Sequence, residues 1–206
     1  MKSPLIRNFS SKIPLAAIAA VLLYATSVAS AQDAKPLDGH PWDLGVWASG
    51  GFSVPGGTQD TKVIDAGVRL GKVLTGDHFG SFVRGDFEYS GDLIPVYYVL
   101  QPAPALNAYG AAFNPVNLKW NFTRSAHTIP FLELGSGVLF SNHVVPNNTS
   151  RVNFITHGTL GFQFFNNQRR AFTASVRYEH ISNAGLTVPN PGVNTVQFLM
   201  GVNWFR

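Results

Sequence analysis

Apolar and polar residues alternate with period two through eight separate stretches, less cleanly in the first, and no feature constrains this chain more. In the last stretch Val196, Phe198, Met200, Val202 and Trp204 share one face. Gln197, Leu199, Gly201, Asn203 and Phe205 share the other. Phe172, Ala174, Val176 and Tyr178 oppose Thr173, Ser175, Arg177 and Glu179 in the same way. A β-strand sends successive side chains to opposite faces, so this period predicts strands. They are expected at 44–54, 61–74, 80–90, 109–122, 129–141, 153–165, 171–183 and 194–205. Helical periodicity is hard to find after residue 32.

An even number of such strands, each long enough for the roughly 9–11 residues of a tilted membrane strand, fits a barrel in lipid. Inside a bilayer every backbone N–H and C=O needs a partner, so a sheet there must close on itself. Connections after strands two, four and six are expected to be short (75–79, 123–128 and 166–170). Those after strands three, five and seven are longer and rich in Pro, Asn and Gly. The expected fold is therefore all-β: an eight-stranded antiparallel up-and-down transmembrane β-barrel. Both ends of the domain then lie on the short-turn, periplasmic side.

The polar faces carry charges of both signs. Arg69, Arg84, Lys119 and Arg177 are expected to pair with Asp65, Asp86, Glu88, Glu133 and Glu179 inside the barrel. Gly67, Gly135, Gly137 and other strand glycines would relieve crowding there. The aromatics Trp42, Trp47, Tyr89, Tyr97, Tyr98, Tyr109, Trp120 and Trp204 are expected in the interface girdles. A soluble periplasmic barrel, with the apolar face turned inward as a core, is the competing architecture.

Composition sharpens this. The 206 residues are 45% hydrophobic but only 13% charged, about half the usual charged share. Lys2, Arg7 and Lys12 precede an apolar run from Ile13 to Tyr24, and Ala29-Ser30-Ala31 follows. That is the pattern of a cleaved signal peptide over residues 1–31, leaving a single domain over 32–206. The leader takes three of the 15 basic residues, so the rest of the chain is near charge balance. Nucleic-acid binding thereby loses its main support. With no cysteine, thiolate metal sites and thiol nucleophiles are excluded. His40, His78, His127, His143 and His157 have no metal-ligand spacing, so neither metal nor other cofactor is expected.

Chemistry concentrates where the seventh strand ends, in His180-Ile181-Ser182-Asn183-Ala184-Gly185-Leu186. His180 and Ser182 are two apart and project from the same, outward face. An imidazole that accepts a hydroxyl proton can turn serine into a nucleophile. Amides around Asn183 and Gly185 are placed to steady an oxyanion. The alternative is two polar groups satisfied by interface water.

This stretch, followed by Pro189-Asn190 and Gly192, resembles the lipid A 3-O-deacylase (PagL) family over about the last 30 residues. The resemblance implies an outer-membrane serine esterase, with Ser182 as nucleophile and His180 as general base. Asn183 and Gly185 would help form the oxyanion hole. It also implies lipid A of lipopolysaccharide as substrate, in contact with outer-membrane lipid. The family's triad acid is a glutamate; here the matching position is Asn194, in outward phase with Val196 and Phe198. An amide can still accept a bond from His180. A structural or lipid-binding barrel without activity is the second reading. The closing Trp204-Phe205 resembles the signal read by the barrel-assembly machinery, with Arg206 as a departure.

Overall fold

Strand propensity and alternation act together along almost the whole described chain. The computed structural model describes residues 37, 39–76, 78–167 and 169–206. The expected leader lies outside them. Eight strands form: β1 (Trp42–Ser53), β2 (Lys62–Val73), β3 (Asp86–Leu100), β4 (Ala108–Asn121), β5 (Thr128–Val145), β6 (Ser150–Asn167), β7 (Arg170–Ser182) and β8 (Val193–Phe205). Each pairs antiparallel with its neighbours, and β1 pairs with β8 to close the barrel. No strand edge is left open.

Facing decides between the two architectures. Outward residues include Leu44, Val46, Ile64, Val68, Leu70, Leu132, Leu134, Phe172, Phe198 and Met200, all exposed. Inward residues include Asp65, Glu88, Asp92, Lys119, Glu133, Arg177 and Glu179, each at most 1% exposed. A soluble barrel would reverse this, because exposed apolar patches on that scale are unfavourable in water. The apolar exterior suits hydrocarbon, and the soluble alternative falls.

The interior is filled rather than open. Arg69 sits at its centre, with Nε 2.8 Å from Asp92 Oδ1 and Nη1 2.6 Å from Glu133 Oε2. Lys119 Nζ lies 2.8 Å from Glu88 and 3.5 Å from Asp43. Arg177 stands 3.8 Å from Asp65 and 3.9 Å from Glu179, and its guanidinium lies 4.8 Å from the centre of the Trp47 ring. Asp43 and Asp92 belong to this network although the sequence pattern did not single them out. Apolar layers cap it. Val63, Ile94, Val99, Leu139, Ile155 and Ile181 pack toward one end; Leu37, Val73, Ile129, Phe165 and Phe205 pack toward the other.

A buried pair broken from one side leaves uncompensated charge, at a cost of about 3–5 kcal/mol. Arg69→Met strands two carboxylates at once. It is expected to lower the urea unfolding midpoint of the detergent-folded barrel clearly; an unchanged midpoint would show that the interior pairs carry no net stability.

Four expectations need correction. Arg84 is not an interior residue: it is exposed, in the connection between β2 and β3. Second, Trp47 and Tyr97 are not girdle residues: they point inward, at 8% and 0% exposure. Trp47 fits because both its cross-strand neighbours, Gly67 and Gly201, are glycine. A Cβ on Gly67 would stand 2.8 Å from the Trp47 ring. Tyr97 hydroxyl instead bonds Glu179. Third, β3 starts and ends later than the alternation suggested: a 3-10 turn over Ser81–Val83 precedes it, and register shifts at Ser90/Asp92 and Ile94/Tyr97 break the period around Pro95 and hide its second half. Fourth, the connection after β2 is not a short turn. It spans 74–85 and contains a 3-10 turn, Ser81–Val83, whereas β5 and β6 extend to leave only 146–149 between them.

Candidate active site

The end of the barrel opposite Trp42 and Phe205 carries the connections 54–61, 101–107, 146–149 and 183–192. β7 delivers His180 and Ser182 to this rim, and β8 delivers Asn194. The hairpin register sets His180 directly across from Asn194. A pair that stands opposite in an antiparallel hairpin shares a face and comes within side-chain reach. His180 Nδ1 lies 2.6 Å from Asn194 Oδ1. With the amide oxygen as acceptor, Nδ1–H donates and Nε2 keeps its lone pair. That is the tautomer a general base toward serine requires.

His180 and Ser182 are both half-buried on the outward face. The Ser182 hydroxyl makes no hydrogen bond among the described residues, His180 included, so it is unengaged. In a substrate-free site the bond from serine to base often tightens only on binding.

Asn194 is 6% exposed despite facing outward. The cover is the 54–61 loop, which sequence reasoning did not assign to the site. Val54 N–H donates to Asn194 O at 2.8 Å, and Thr58 N–H donates to Gly192 O at 2.9 Å. Gln59 Nε2 braces the loop through Val54 O and Gly57 O, at 3.0 and 2.8 Å. Gly56 has φ +110°, and a Cβ there would stand 2.8 Å from Asn194 Nδ2. Gly192, φ +65°, is pressed against the imidazole in the same way: its Cβ would stand 2.9 Å from His180 Cε1. The two glycines thus let backbone close over the His–Asn pair from both sides. Gly56→Ala is expected to push the amide off His180 and lower kcat at least tenfold with KM little changed. A matching loss in unfolding midpoint, with kcat intact, would reduce the loop to a structural role.

The loop after β7 is ordered by its own asparagines. Asn183 is fully buried. Its Nδ2 donates to Thr187 Oγ1 at 2.7 Å, while its Oδ1 accepts from Gly185 N–H at 2.8 Å. Asn183 N–H donates to Asn190 Oδ1 at 3.1 Å. Both expected oxyanion donors therefore already have partners within the loop. Ala184 lies between them at φ +51° with Gly185 at φ +82°, and its amide has no hydrogen bond among the described residues. Asn190 and Ala184 are additions to the site. Asn190 belongs to the quoted sequence pattern, but nothing in spacing reveals which amide it accepts from.

The chain now has known proteins to stand beside. A family profile described as Lipid A 3-O-deacylase (PagL) matches residues 74–203. No curated protein matches the chain. Among solved structures, the outer membrane enzyme PagL aligns with a TM-score of 0.56 and 21% identity, covering 76% of this chain and 97% of that one. Neisserial surface protein A aligns with a TM-score of 0.54 and 12% identity, covering 79% of this chain and 95% of that one. At these identities the two structures show the shared barrel.

Proposed function

The chain belongs to the lipid A 3-O-deacylase (PagL) family and is a bacterial outer-membrane β-barrel; on that premise we propose that it is a serine esterase that removes the ester-linked 3-hydroxyacyl chain at the 3-position of lipid A. The observation that carries the reading is the 2.6 Å bond between His180 and Asn194, next to an unengaged Ser182 hydroxyl on the lipid-facing wall.

The chemistry follows from that arrangement. The acyl chains of lipid A lie along the apolar wall below the rim, where Tyr178, Val176 and Phe198 are exposed. This brings an ester carbonyl to the height of Ser182. His180 Nε2 takes the hydroxyl proton as Ser182 Oγ bonds the carbonyl carbon. Charge moves to the carbonyl oxygen, and the Ala184 amide is free to meet it. The Asn183 and Gly185 amides join if their loop bonds are exchanged. His180 then returns the proton to the departing sugar oxygen. Water, activated in turn by His180, releases the free 3-hydroxy fatty acid from the acyl-serine.

Asn194 holds the imidazole in register but brings no negative charge to the imidazolium. Its burial partly offsets this, because a dipole acts more strongly where water is excluded. The reaction needs no metal or other cofactor. Partners follow as lipid A, the surrounding outer-membrane lipid and, through Trp204-Phe205, the barrel-assembly machinery.

Mass spectrometry of lipid A from cells with and without the protein tests the proposal. Loss of one ester-linked 3-hydroxyacyl group on expression is expected. Unchanged acylation, with the barrel shown to be folded by its heat-modifiable gel mobility, would favour a structural barrel.

A further inference from the structure

The opposite end of the barrel holds a second feature that deacylation does not use. A cleft of about 840 Å³ is lined there by His40, Arg169, Arg170, Trp204 and Arg206, among others. Among the described residues no Asp or Glu side chain lines it, and Arg206 brings its own main-chain carboxylate. The cations are mounted on fixed backbone. Arg206 and Trp42 exchange two backbone hydrogen bonds, at 2.8 and 2.9 Å, and Arg169 O accepts from Phe205 N–H at 2.8 Å. Arg169 Nε donates to His40 Nε2 at 3.4 Å. The guanidinium groups of Arg170 and Arg206 have no ion-pair partner among the described residues. Arg169 and Arg170, adjacent and exposed, supply the net positive charge of the cleft, and their planar forks match phosphate oxygens two at a time.

Depth identifies the source of the phosphate. Trp204 both lines the cleft and faces the lipid wall, and Arg170 stands across from it in the β7–β8 register. On the neighbouring strands Trp42 is outward and 46% exposed, with Lys72 Nζ 5.1 Å from its ring centre. Outward tryptophans mark headgroup level in a membrane barrel. The cleft therefore opens at headgroup depth in the leaflet on the Trp42 and Phe205 side. Two of the three connections on that side, 122–127 and 168–169, are short as periplasmic turns are, although 74–85 is long; on that ground the leaflet is taken as the periplasmic one, built of glycerophospholipid.

We propose that this cleft binds the phosphate of an anionic glycerophospholipid in the periplasmic leaflet, on the same β7–β8–β1–β2 wall that carries the candidate esterase site at its other end. The bound headgroup fixes the depth of that wall without entering the reaction, so the proposal stands whether or not the esterase reading does.

Native mass spectrometry of the folded protein from mixed micelles of phosphatidylcholine and a minority of phosphatidylglycerol tests it. Retained lipid should be enriched in phosphatidylglycerol, and added salt should reduce the enrichment. R169Q/R170Q should cut it about fivefold per arginine removed. If that variant fails to fold, the salt series on the unaltered protein decides. Equal retention of the two lipids, enrichment unmoved by salt or by the variant, or displacement by inorganic phosphate would each overturn the proposal. The last result would make the cleft a site for a soluble anion.

Discussion

Ser182→Ala is expected to reduce release of the 3-linked acyl chain to background while leaving the barrel folded. In a complete triad the serine supports a rate advantage of about 10⁶. Changing the acid to its amide costs about 10⁴. On that basis the amide-oriented pair here supports on the order of 10² from serine attack, and alanine should remove all of it. The hydroxyl has no structural partner to lose, so the unfolding midpoint should not move. A serine-directed acylating probe should label the unaltered protein and not the variant. Residual turnover in Ser182→Ala above that of a vector control would assign the chemistry to another group.

The larger effect runs the other way. Asn194→Asp is expected to raise turnover by roughly two to four powers of ten. The substitution keeps size and shape, so a carboxylate would occupy the amide's position 2.6 Å from His180 Nδ1. There it would stabilise the imidazolium that forms as Ser182 attacks. Asn194→Glu would install the residue the family carries, but its extra methylene must displace the 54–61 loop, which leaves the amide only 6% exposed. Its gain should be smaller unless the loop moves. Asn194→Leu removes orientation altogether and should fall to the Ser182→Ala level. A loss of turnover in Asn194→Asp would mean that the amide is native to a working site and that a charge there holds His180 too tightly to act.

Alternation made the barrel legible because each strand sees lipid on one side and a charged interior on the other. The inward ranks of β7 and β8, Arg177, Glu179, Gln197 and Asn203, stand where period two put them. The period failed where the backbone is irregular. Pro95 and Val96 are both exposed, a break in parity produced by the shift between Ile94 and Tyr97, and beyond it Tyr97 faces inward. Trp47 shows a different error: the first strand alternates too loosely to fix its facing, and its residue type suggested the membrane girdle. The room that lets it turn in comes from Gly67 on one neighbouring strand and Gly201 on the other, far apart in sequence.

The candidate site divides along the same line. His180, Ser182 and Asn194 lie within one hairpin, so counting residues was enough to put them on one face. The cover over Asn194 comes from the loop after β1, brought beside β8 only when the barrel closes. No local pattern in Val54-Pro55-Gly56-Gly57-Thr58 announces that contact. The oxyanion donors were read from position alone, and position does not show that Asn183 and Asn190 already occupy two of the three amides.

The most direct measurement is on purified, folded protein incubated with lipid A in mixed micelles, following both products by mass spectrometry. Stoichiometric appearance of a free 3-hydroxy fatty acid and of lipid A lacking its 3-linked chain is expected, faster with Asn194→Asp and absent with Ser182→Ala. Intact lipid A with both the unaltered protein and Asn194→Asp, under conditions where the barrel is folded, would contradict the esterase reading.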